Sequence, residues 1–201
     1  MSGRRSFTRP LGTRRYKRLF LIATEGNKTE PQYFALLNEE VVLVQVQVVK
    51  GQHDSAPKHV LSRMEEHLRK QRLLAGDEAW LVIDKDQWSQ EQIGDLHDWT
   101  QLHANRALAV TNPKFEFWLL LHFEDGAGVS TPQDCKQRLK RYLPNYDKGI
   151  GHGQISLLQV QDAIERAKRR DQPPCADWPR MAGASTVYRL VAKILTSEED
   201  A

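Results

Sequence analysis

The chain has 201 residues, 40% of them hydrophobic and 27% charged, which excludes a disordered or fibrous protein and suits one domain, or one domain plus a small appendage. It holds no run of about 18 apolar residues and no apolar stretch behind its basic start, so neither a spanning helix nor a signal peptide is expected, and the protein reads as cytoplasmic with no membrane partner. Two cysteines, Cys135 and Cys175, lie outside any CxxC and exclude a disulfide scaffold or a cysteine zinc cage, while the net charge of +3 is small but unevenly spread.

Seven cations crowd the first 18 residues: Arg4, Arg5, Arg9, Arg14, Arg15, Lys17 and Arg18. An arm over 1–17 with this charge suits phosphate-backbone binding by counterion release, and it equally suits a solvated tail.

Next comes RLFLIAT (18–24), with the length and apolarity of a buried strand. TEPQYFALLNEE then predicts a helix with Thr29 as N-cap, Gln32 at the capping-box position and Pro31 in the first turn. The β-branched VVLVQVQVV (41–49) predicts a second strand. A helix follows to about residue 74, with Ser55 near its cap and Val60, Leu61, Met64 and Leu68 at helical spacing. EAWLVID is a third strand, Ser89 with Gln92 opens another helix, and RALAVTN is a fourth strand. Strands alternating with helices predict an α/β fold, its mostly parallel sheet covered on both faces and its ligands beyond the strands' carboxyl ends.

Beyond the fourth strand, Asn112 and Pro113 turn the chain into an apolar helix over about 115–123, whose Trp118 and leucines read as core. STPQDCKQRLKRYL opens a basic helix at Thr131 and Pro132, with Arg138, Lys140 and Arg141 on a solvated face or a nucleic-acid groove. SLLQVQDAIERAKRR is an amphipathic helix, DQPPCADWPRMAG a loop, and Ser185 or Thr186 begins the last helix. His53, His122 and His152 share no metal-ligand spacing and read as structural or surface residues.

Carboxylates gather at the strand ends. Asp84 closes the third strand and Asp86 lies just past it, and period two points both the same way. Two such acids repel unless a cation sits between them, and Mg²⁺ takes one or two carboxylates plus waters and phosphate oxygens. Turn-capping by Asp84 with a solvated Asp86 is the competing reading. The first strand likewise ends in Glu25, followed by Gly26, Lys28 and Glu30, and Glu116 stands in the first turn of the apolar helix. Glu25 across from Asp84 suits metal binding or acid-base work, Gly26 and Lys28 suit a phosphate, and Glu30 and Glu116 either join the acids or complement helix dipoles.

Taken together, ATEGNKTEPQYF, VIDKDQW, NPKFEFWLLLHF and STVYRLVAKIL resemble the RloB-like proteins, which are similar to Toprim-domain nucleases of bacterial antiphage defence. The resemblance covers most of the chain. It implies a Toprim-like α/β core over 18–125 and a helical extension over 126–201 packed on that core. It implies Mg²⁺, with Mn²⁺ as a substitute, held for phosphodiester cleavage by Glu25, Asp84 and Asp86 as the matching glutamate and DxD. Glu30 in the same motifs is then a further metal ligand, Glu116 a catalytic acid, and Lys28 and Asn112 phosphate-binding residues. Lys148, in YDKG, resembles a family position for phosphate, a surface lysine being the alternative. The resemblance also implies an ATPase partner of the abortive-infection type, and Arg14 and Arg15 of the arm would serve that partner or nucleic acid. DNA and RNA stay open as substrates. A non-catalytic nucleic-acid-binding or regulatory subunit is the alternative, and a phosphatase using DxD is weaker because that pair normally ends the first strand.

Overall fold

The structure, a computed structural model, describes residues 18–41, 44–49, 56–146 and 149–199; the arm with Arg14 and Arg15, and also His53, Ser55 and Lys148, lie outside the described residues. Among these, the chain runs β1 (Arg18–Thr24), α1 (Thr29–Glu40), β2 (Val44–Val49), α2 (Pro57–Lys70), β3 (Glu78–Asp84), α3 (Gln90–Gln101), β4 (Arg106–Asn112), α4 (Phe115–Leu120), α5 (Pro132–Tyr142), α6 (Leu157–Arg170), β5 (Ala184–Ser185) and α7 (Val187–Glu199). The strands form one sheet in the order β2-β1-β3-β4-β5, parallel throughout except for β5, which runs antiparallel to β4. The expected α/β class, mostly parallel sheet and helical C-terminal part are all present.

Alternation along β1 and β3 builds two apolar layers. Phe20, Ile22, Trp80 and Val82 face a core shared with α1, α4, α5, α6 and α7. Leu21, Ala23, Leu81 and Ile83 face the other side, against Val60 and Met64 of α2 and Ile93 and Leu96 of α3. Strands covered on both faces have no side to spare for polar residues, hence the nearly continuous apolar runs. α4 is apolar except for Glu116 because it is otherwise surrounded, with Phe115, Phe117, Trp118, Leu119 and Leu120 all buried.

Several boundaries differ from the sequence reading. α1 begins at Thr29, but its N-cap is Lys28 and no side chain caps it. Thr29 and Gln32 are drawn off by the segment after α5: the Thr29 hydroxyl lies 3.4 Å from that of Tyr146, and Gln32 Oε1 accepts from the amide of Ile150 at 3.1 Å. α4 stops at Leu120, three residues early, because His122 and Phe123 close tighter turns onto the carbonyls of Leu119 and Leu120. α2 stops at Lys70 rather than near 74, and Val41 caps α1 instead of opening β2. Ser185 belongs to β5, where its hydroxyl meets that of Thr111 at 2.8 Å, and the last helix starts at Val187. The expected capping box at Ser89 forms, and Thr131 and Ser156 make two more that the sequence reading did not name.

The two ends of the sheet treat charge differently. At the amino end of β3 the buried Glu78 carboxylate accepts from Arg18 at 2.5 Å, Lys193 at 3.0 Å and Trp80 Nε1 at 2.9 Å. That acid is fully answered.

Truncating Phe34, which is wholly buried beside Tyr33 and Phe115, removes a core ring; Phe34→Ala should lower unfolding free energy by about 3–5 kcal/mol in urea titrations. Leu158→Ala, at a side chain 75% exposed, should change it by less than about 0.5 kcal/mol.

Candidate functional site

At the carboxyl edge the acids are not answered in that way. β1 and β3 are paired neighbours, so their ends lie side by side. Glu25 continues the ladder through its amide to the carbonyl of Val82, and its carboxylate then turns across to β3. There Glu25 Oε2 accepts from the amide of Asp84 at 3.1 Å, and Trp88 Nε1 donates to both carboxylate oxygens at 3.1 Å. Asp84 Oδ1 accepts from the amide of Phe115 at 2.8 Å, which ties the end of β3 to the start of α4. Glu30, buried in the first turn of α1, folds back so that Oε1 accepts from the amide of Gly26 at 3.1 Å. Glu116 Oε1 accepts from the hydroxyl of Tyr146 at 3.2 Å.

These four carboxylates line one open cleft of about 240 Å³ together with Gly26, Asn27, Lys28, Thr29, Lys114 and Phe115. Gly26 leaves room for the Glu30 carboxylate: a Cβ at position 26 would stand 2.1 Å from Glu30 Oε2, so any other residue displaces that carboxylate from its present seat.

The electrostatics are those of crowded like charges. Burial pushes the Glu25 carboxyl up to about 7, against the opposing hydrogen bonds from Asp84 and Trp88 and with help from the charges of Asp86 and Glu30. Burial likewise raises Asp84 well above the usual carboxylate range, and the charges of Glu30, Glu25 and Glu116 add to it. Glu30 is raised by burial, eased by its backbone hydrogen bonds, and raised again by Glu116.

Asp86 does not join this cleft. Its Oδ1 accepts from the amide of Gln87 and its Oδ2 pairs with Lys114 Nζ at 2.9 Å, so the two acids of DKD part company instead of flanking one cation. Period two fails past Asp84 because the strand ends there and residues 86 and 87 form a turn. Asn112 is also directed elsewhere: its amide donates to the carbonyls of Pro179 and Arg180 at 3.3 and 3.1 Å and holds the loop before β5. Lys28 lies at the cleft mouth. Arg138 pairs with Glu124, whereas Lys140 and Arg141 lie on an exposed helix face. His122 is buried against Tyr33 and the carbonyls of Trp118 and Leu119, and burial pulls its imidazole down to about 4, which keeps it neutral.

Three participants were not singled out from the sequence. Lys114 sits between Asn112 and Glu116 in a motif already read, and its cation next to an acid cluster was the available signal. Trp88 closes the WLVIDKDQW stretch, with nothing in its spacing to assign it to Glu25. Tyr146 lies 30 residues beyond Glu116, and only the fold brings the two together.

Among the described residues no three His, Cys, Asp or Glu side chains converge closely enough to enclose a metal ion by themselves. The donor set nevertheless fits a hard cation that keeps part of its water shell. The cleft offers four carboxylates, and Asp84 Oδ2 and Glu116 Oε2 accept no hydrogen bond among the described residues.

The family model described as RloB-like protein matches residues 20–194. No curated protein and no solved structure matches the chain. No helix among the described residues is long and apolar enough to cross a membrane.

A raised Glu25 makes stability depend on pH. The folded protein keeps this proton up to about 7 whereas the unfolded chain releases it near 4.5, so the stabilisation present below 4.5 is lost as pH rises through 7. In chelator, Glu25→Gln should therefore gain about 2 kcal/mol on wild type between pH 5 and 8 in denaturant titrations, a difference in which the opposite trend of His122 cancels. Gly26→Ala should abolish whatever divalent-ion stabilisation wild type shows, read by thermal shift with and without Mn²⁺.

Proposed function

The chain belongs to the RloB-like protein family, and from that premise we propose that it is a divalent-metal-dependent nuclease that hydrolyses nucleic-acid phosphodiester bonds in antiphage defence, with an ATPase partner. One observation carries the reading: Glu25, Glu30, Asp84 and Glu116 are brought from four separate segments to a single cleft at the edge of the sheet where ligands bind, and burial among like charges there raises Glu25, Glu30 and Asp84. A purely structural need for acids would have been met as at Glu78, with a cation for the carboxylate.

Asp84 and Glu30, with Glu25 beside them, would hold Mg²⁺ or Mn²⁺, and Glu116 lines the same cleft. When bound, the ion supplies Lewis acidity at the phosphate and neutralises the carboxylates. Glu25, titrating near neutrality, is the group to take a proton from attacking water. Trp88 and the Asp84 amide fix the orientation of Glu25 for that task. Lys28, at the cleft mouth, is placed to attract the phosphodiester.

A second reading, a non-catalytic nucleic-acid-binding subunit, draws on the absence of three converging ligands among the described residues. Cleavage assays on labelled DNA and RNA separate the two. The nuclease reading expects cutting with Mg²⁺ or Mn²⁺, none in EDTA, and a loss of about 100-fold or more in Asp84→Asn and Glu25→Gln. Nucleic-acid binding with no cutting by wild type, even with a candidate ATPase partner added, would establish the second reading instead.

A further inference from the structure

Lys114 is the cation that the acid cluster already contains. Its ammonium lies 2.9 Å from Asp86 Oδ2 while the side chain lines the cleft that Asp86 does not. Burial works against its charge, yet Asp86, Asp84 and Glu116 outweigh that and hold its pKa up, and its charge in turn eases Glu30. One ammonium thus acts on acids on both sides of the cleft wall.

The bland account of the pair is a strut that fixes the turn after β3. The backbone makes that strut unnecessary. Lys85 donates its amide to the carbonyl of Thr111 at 2.8 Å, Asp86 to that of Pro113 at 3.0 Å, and Trp88 closes the turn onto Lys85 at 3.1 Å. The two turns are therefore held together without any side chain, and an ion pair in which Lys114 is 38% exposed adds little further. Such a pair is held weakly enough to be exchanged, and Asp86 is near enough to the cleft for its charge to act on Glu25.

We propose that Lys114 is a resident counter-cation that competes with a divalent metal ion for this site and keeps Asp86 turned out of the cleft until the metal takes that place. The inference rests on the metal-dependent reading above. It accounts for the divergence of Asp84 and Asp86, two residues apart in the sequence. Loading is then an exchange, one cation for another, in which the freed ammonium stays at the cleft rim.

Isothermal titration of Mn²⁺ into the full chain, chelator-treated and without nucleic acid, tests this independently of catalysis. Lys114→Gln should bind Mn²⁺ about ten-fold tighter than wild type, because a like charge has been removed from beside the ion, and Lys114→Arg should stay close to wild type. Asp86→Asn, needed should Lys114→Gln fail to fold, should bind more weakly, since it removes an incoming ligand. Equal or weaker binding by Lys114→Gln, or unchanged binding by Asp86→Asn, would overturn the exchange while leaving the metal centre standing. No Mn²⁺ binding by any of these proteins would overturn both.

Discussion

Like charge at the carboxyl edge of the sheet is the constraint on which the rest of the site depends. Glu25, Glu30, Asp84 and Glu116 meet where two parallel strands end, and each is held by a donor that has no charge of its own: the amides of Asp84, Gly26 and Phe115, the indole of Trp88 and the hydroxyl of Tyr146. Neutral donors orient carboxylates without cancelling them. The contrast with Glu78, at the opposite end of the same strand, is direct, because there Arg18 and Lys193 supply full counter-charges. Burying an acid among acids costs free energy, and structures retain such arrangements where a ligand relieves them.

The scaffold accounts for how these groups are brought together. Parallel pairing of β1 with β3 and of β3 with β4 puts three strand ends on one edge, and the short connections after them place the first turns of α1 and α4 beside it. Two apolar layers then fix the sheet from both sides. Because Gly26 has no Cβ, Glu30 can fold back onto the amide that begins the connection, so the placement of this acid is set by a missing side chain. The C-terminal part completes the arrangement: β5 extends the sheet past β4, and Tyr146, just after α5, orients Glu116.

Much of this was legible in the sequence, for physical reasons that can be named. Buried parallel strands write themselves as unbroken apolar runs, which is why RLFLIAT, EAWLVID and RALAVTN mark β1, β3 and β4 to the residue. Capping boxes are local, so that at Ser89 was readable, whereas Thr29 and Gln32 were claimed by Tyr146 and Ile150 from more than a hundred residues away. β5 has two residues and no pattern to detect. Glu25, Glu30, Asp84 and Glu116 were legible as acids at strand and helix ends. The divergence of Asp86 and Asn112 was not, because it follows from partners, Lys114 and the loop carbonyls of Pro179 and Arg180, that only the tertiary structure supplies.

The central claim is that this acid-lined cleft is a divalent-metal centre. Crystals soaked in Mn²⁺ and measured for its anomalous scattering address that claim directly. The account predicts an anomalous peak inside the cleft within coordinating distance of Asp84 and at least one of Glu25, Glu30 and Glu116. A cleft without a peak at saturating Mn²⁺, with Lys114 still seated on Asp86, would contradict it.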